Sequence, residues 1–170
     1  MKANQENNEQ NLKSLPCGKN KITQIDVKGG QLTFGQRIYL GKVFESEGTD
    51  FDKFIQTFEI LHEKPLKSQY KNLLNYFNEI IEGLIFWIEQ ENTKLKYTPT
   101  IEEKKAGVQE FSQKVGEFST IKALAKAYSK DPDDILEWKY GKVFGILYTD
   151  LEEYKYNVRY NKIIEEKFKK

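Results

Sequence analysis

The sequence predicts an all-α fold, a single-domain helical bundle with a mobile N-terminal tail. Three observations carry that prediction. Apolar residues recur at spacings of three and four along several long stretches. Only four prolines and 11 glycines occur in 170 residues, too few for the turns of an all-β chain. Aromatics reach 14%, with 10 Tyr and 11 Phe, so rings supply much of the core volume in a chain lean in aliphatics.

Residues 1–20 form the expected disordered tail, because Asn4 to Asn11 contains no apolar side chain to offset ordering entropy. The helical domain takes 21–170. It opens on Ile22, Ile25 and Val27, β-branched residues ended by Gly29-Gly30. They predict a short strand, paired with Leu12 to Leu15 in a hairpin, or else a segment lying extended across the helices.

Thr33 and Gln36 have the spacing of a capping box, and the helix they start carries Ile38, Leu40, Val43 and Phe44 until Gly48. A second helix, near Asp50 to His62, carries Phe51, Phe54, Ile55, Phe58 and Leu61 on one stripe and ends before Pro65. The third, near Lys67 to Asn92, has Tyr70, Leu74, Phe77, Ile81, Leu84 and Ile88 inward, with Leu73, Ile80 and Trp87 widening the seam. Tyr97-Thr98-Pro99 turns the chain, and Thr100 with Glu103 repeats the capping-box spacing. A surface helix follows to about Glu117 with Val108, Phe111 and Val115, then a short alanine-rich helix over Ser119 to Ser129. Asp131-Pro132-Asp133-Asp134 combines a cap, a first-turn proline and dipole-facing acids. The helix behind it repeats Tyr140, Phe144, Leu147, Leu151, Tyr154 and Val158, and is expected to run almost to Lys170 or to break at Thr149-Asp150. A sequence echo joins 41–54 to 141–154 at a constant offset, through Gly-Lys-Val-Phe and Thr-Asp.

Composition excludes several functions. With 27 basic and 26 acidic residues the net charge is +1, which favours neither a nucleic-acid nor a membrane partner. No apolar run reaches the roughly 20 residues of a membrane span, and the opening residues lack a signal-peptide pattern, so a cytoplasmic protein is expected. One Cys and one His cannot build a usual zinc site. His62 reads as an exposed helix-terminal residue rather than a general base, and Cys17 lies in the tail without a pKa-lowering neighbour. The acid pairs Glu102-Glu103, Asp133-Asp134, Glu152-Glu153 and Glu165-Glu166 sit at helix starts or on polar faces. No glycine pattern cradles phosphate. A helix-turn-helix reading over Ile121 to Glu137 fails because four acids would face the DNA. The expectation is a protein that is not an enzyme and has no cofactor and no metal.

Leu32-Thr33-Phe34-Gly35-Gln36-Arg37, with Leu124-Ala125-Lys126-Ala127-Tyr128 and Asp131-Pro132-Asp133-Asp134-Ile135-Leu136-Glu137-Trp138, resembles the tail assembly chaperones of tailed bacteriophages. The likeness covers the last fifty residues and the Thr33 helix. It implies a small helical protein of the host cytoplasm. Its role would be to bind apolar helices of the tape-measure protein during virion assembly and then leave. The competing reading is a virion structural protein, such as a head–tail connector or a tail completion subunit. On either reading the partner is a protein.

The candidate partner-binding residues are Trp138, Tyr148, Tyr156 and Tyr160. They fall partly off the inward repeat of the last helix, which carries more rings than one seam buries. Exposed aromatic side chains are common anchors for protein partners. Trp138 and Tyr148 are expected to help form a groove for an apolar helix.

Overall fold

The computed structural model describes residues 24–66 and 72–168. Among them the chain is all-α, with seven helices: α1 Phe34–Glu45, α2 Asp50–His62, α3 Leu73–Lys94, α4 Ile101–Lys105, α5 Val108–Tyr128, α6 Pro132–Leu136 and α7 Tyr140–Phe168. The expected tail, the 12–15 half of the hairpin, Cys17 and Tyr70 lie outside the described residues.

No strand forms at 24–28. Ile25 to Leu32 instead crosses the helices, folded into a turn over Val27 to Gly30 rather than extended as expected. The Asp26 carboxylate accepts the Gly29 N–H (2.7 Å), the Val27 carbonyl accepts the Gly30 N–H (3.0 Å), and Val27 and Leu32 are buried. Gly30 has a φ of +74° and meets Gly141, where a Cβ would stand 2.9 Å from the Gly141 Cα. That close approach seats the segment against the start of α7.

The three capping boxes at Thr33–Gln36, Thr49–Asp52 and Thr100–Glu103 each close in both directions. α1 ends three residues before Gly48, because Ser46 leaves the helical region and its N–H and hydroxyl satisfy the Lys42 and Val43 carbonyls. α2 buries Phe54, Phe58 and Leu61 as its stripe requires, and Glu63 stops it in the left-handed region. α4 is only five residues long. The expected helix to Glu117 is interrupted at Gly107 (φ 80°), and a second break at Gly116 (φ 48°, ψ −140°) kinks α5. Beyond the kink Ile121, Leu124 and Ala125 are buried, while Phe111 stays exposed on the surface arm.

The core lies between α1, α2, α3 and the first turns of α7. α3 is rotated relative to the expected seam. Leu73, Tyr76, Phe77, Ile80, Gly83, Leu84 and Trp87 are buried, whereas Ile88 is 45% exposed and Leu74 and Ile81 are half-buried. The crossing segment causes the rotation: Val27 packs onto Gly83, and the Trp87 indole N–H donates to the Val27 carbonyl (2.7 Å).

The last helix does not run unbroken from Asp133. Asp131 caps as expected, its carboxylate accepting the Asp133 N–H (3.0 Å), but α6 stops at Leu136. The Phe34 N–H donates to the Trp138 carbonyl (2.8 Å) and the Tyr140 N–H to the Leu32 carbonyl (2.7 Å), with an isolated antiparallel bridge at Thr33 and Lys139. These long-range bonds hold Glu137 to Lys139 out of the helix, so Trp138 is not a helical residue. Leu147 and Leu151 are half-buried, but Tyr154 and Val158, expected inward, are 43% and 50% exposed. The apolar seam of α7 continues past the elements that cover it.

The 41–54 and 141–154 stretches have different structures. Thr49 caps α2, whereas Thr149 lies inside α7 with its hydroxyl on the Gly145 carbonyl. Only the Gly-Lys-Val-Phe halves correspond, both helical with Val43 and Val143 buried.

Candidate functional site

Two neighbouring surfaces carry the chemistry of this fold. The first is a groove of about 410 Å³ between α1 and α3, lined by Gly41, Phe44, Ile81, Leu84, Ile85 and Ile88 and bounded by Arg37, Glu45 and Glu91. Ile85 and Ile88 are half exposed within it. At its rim Arg37 forms a bidentate pair with Glu91, Nε to Oε1 at 3.0 Å and a terminal nitrogen to Oε2 at 2.8 Å. The Tyr140 hydroxyl donates to the same Oε1 (2.6 Å), and the guanidinium lies 5.8 Å from the Tyr140 ring. Burial and the neighbouring carboxylate push the Tyr140 pKa far above its ordinary value. The cluster is therefore a fixed, internally satisfied clasp between α1, α3 and α7.

The second surface is α7 itself. Past the core it exposes seven large apolar side chains: Tyr148, Tyr154, Tyr156, Val158, Tyr160, Ile163 and Phe168. Tyr154 meets Tyr97 edge to face (5.8 Å), which ties the 95–100 linker to α7, and the Tyr97 hydroxyl donates to the Glu103 carboxylate of α4. Tyr156 stacks on Tyr160 with centroids 6.1 Å apart.

Of the four sequence-predicted residues, Tyr148, Tyr156 and Tyr160 lie on this exposed length of α7. Trp138 sits in the turn before it, half-buried, with Tyr128 edge-on at 5.1 Å and the Lys142 ammonium 3.6 Å from its ring centroid. Trp138 and Tyr148 are separated by roughly 12 Å or more of helix rise, about two turns along α7. The Arg37–Glu91–Tyr140 clasp was missed by sequence reasoning. A signal for it exists: Glu91 continues the three–four spacing of Ile81, Leu84 and Ile88, a carboxylate where an apolar residue is due.

His62 is not the exposed residue expected. Its Nε2 lies 2.9 Å from the Tyr76 hydroxyl and its ring packs on Phe58 (4.4 Å). Burial, helped by Lys64, lowers its pKa below 6.5, and burial raises that of Tyr76 to about 12. Below about pH 6.5 the unfolded chain binds a proton that the folded chain resists, so stability falls as the pH falls through that window. Tm measured at about pH 7.5 and 5.5 is expected to drop on acidification, and less steeply in His62→Gln. Equal slopes would remove His62 from the acid response.

Among the described residues no group of three His, Cys, Asp or Glu side chains could hold a metal ion, and no helix is long and apolar enough to cross a membrane. No family model, curated protein or solved structure matches this chain.

Proposed function

We propose that the chain is a non-enzymatic tail assembly chaperone that binds apolar helices of a tape-measure protein, its anchors being Trp138, Tyr148, Tyr156 and Tyr160. The observation that carries this reading is the length of α7 beyond Leu147, where seven large apolar side chains are exposed on one helix. Such a helix offers rings of low conformational entropy to an amphipathic partner, which buries them against its own apolar face. The resemblance in Leu32 to Arg37 and in Leu124 to Trp138 supports the family reading. Those stretches are packed together, with Gly35 against Leu136 and Phe34 bonded to Trp138.

Co-expression with a tape-measure protein tests the proposal. The parent chain is expected to keep that protein soluble and to co-purify with it. Trp138→Ala with Tyr148→Ala is expected to remain folded by circular dichroism and to lose the complex. A partner equally soluble with the double variant would overturn the assignment of these anchors. Stoichiometric presence in purified particles would favour the alternative, a head–tail connector or tail completion subunit.

A further inference from the structure

We propose that the outer face of α7 is the seam of a homodimer, in which two copies of the helix pack antiparallel about a two-fold axis at Tyr160. Along that face Glu153, Tyr156, Tyr160, Ile163 and Lys167 follow at intervals of three, four, three and four. That is the spacing of a helix–helix seam. Tyr156, Tyr160 and Ile163 are 58%, 51% and 54% exposed. At 100° per residue Tyr160 stands roughly 160° around the helix from Phe144, on the side away from the core. The seam is thus separate from the inward one that Tyr140, Val143 and Phe144 occupy.

The charge pattern selects the occupant and its direction. Glu153 lies seven residues before Tyr160 and Lys167 seven after it. Reversal about Tyr160 therefore sets Glu153 opposite Lys167 of the second copy, twice, and brings Tyr156 beside Ile163. A parallel pair would instead oppose Glu153 to Glu153 and Lys167 to Lys167. Arg159 comes alongside the Tyr160 ring of the second copy, within reach of a cation–π contact. Because Tyr140, Val143 and Phe144 hold each core at the start of its α7, antiparallel pairing places the two cores at opposite ends of the seam. The shared length, 152–168, is about 25 Å of helix. A contact of that size is at the small end of specific interfaces, so association is expected on the order of tens of micromolar.

This inference shares Tyr156 and Tyr160 with the tape-measure reading, and its test, the self-association of the chain alone, separates the two. Sedimentation of the full chain over about 5–500 µM is expected to give a monomer–dimer equilibrium. Tyr160→Glu should give a monomer whose helix content matches the parent. Glu153→Lys and Lys167→Glu should each weaken association about tenfold, because each converts two attractions into two repulsions. The double swap should restore it. Trp138→Ala with Tyr148→Ala should leave the dimer intact. A chain that stays monomeric throughout, or a dimer indifferent to Tyr160→Glu, overturns the seam. A double swap as weak as the single variants overturns the antiparallel register.

Discussion

Trp87→Ala is expected to lower the unfolding free energy by about 3–5 kcal/mol, as buried aromatic truncations do. In a chain of this size that is a fall in Tm on the order of 10 °C. The ring is only 8% exposed and meets Tyr140 at 5.1 Å and Phe144 at 5.2 Å, both edge-on. Its indole N–H donates to the Val27 carbonyl (2.7 Å), so one side chain joins α3, α7 and the crossing segment. Trp87→Phe separates the two contributions. It keeps most of the ring and loses the hydrogen bond, and the Val27 carbonyl still accepts the Gly30 N–H. That variant is expected to lose only about 0.5–1.5 kcal/mol plus the cost of imperfect filling. Denaturant midpoints for both variants decide the matter. An unchanged midpoint in Trp87→Ala would show that the crossing segment and α7 hold to α3 without it.

What the sequence discloses here is local, and what it conceals is long-range. The helix class, the capping boxes at Thr33 and Thr100, the Asp131 cap and the α2 stripe all follow from residues within one or two turns of each other. Such signals need no knowledge of the rest of the chain. The rotation of α3 was hidden because Gly83 scores as nothing on an apolar stripe, yet it is the position that admits Val27. The break between α6 and α7 was hidden because its cause is hydrogen bonding to Leu32 and Phe34, about a hundred residues away. Arg37, Glu91 and Tyr140 carry ordinary polar labels in the sequence, and their spacing across three helices is set only by the fold. The rings of α7 were legible as a surplus over one seam. Their division into a covered base and an exposed length depends on where the other helices end.

Gly83→Val is the complementary expectation, a loss caused by added rather than removed volume. A Cβ at this position would stand 2.7 Å from both Cβ and Cγ1 of Val27 and 3.0 Å from the Lys28 backbone nitrogen. None of these atoms is the far end of a flexible side chain, so relief requires the backbone of the crossing segment to lift. Lifting it draws the Val27 carbonyl away from the Trp87 indole and exposes Val27, which is 3% exposed in the fold. Overpacking of a close contact costs about 1–3 kcal/mol, and the lost hydrogen bond adds to it. The helix itself gives little back, since Val is hardly better than Gly in an interior turn. Val27→Gly removes two of the three obstructing atoms and is destabilising alone. Combined with Gly83→Val it is expected to cost less than the sum of the two single changes, a favourable coupling of about 1 kcal/mol or more between residues in contact. Strict additivity in that double-mutant cycle would mean that α3 and the crossing segment do not meet at Gly83. The rotation of α3 would then need another cause.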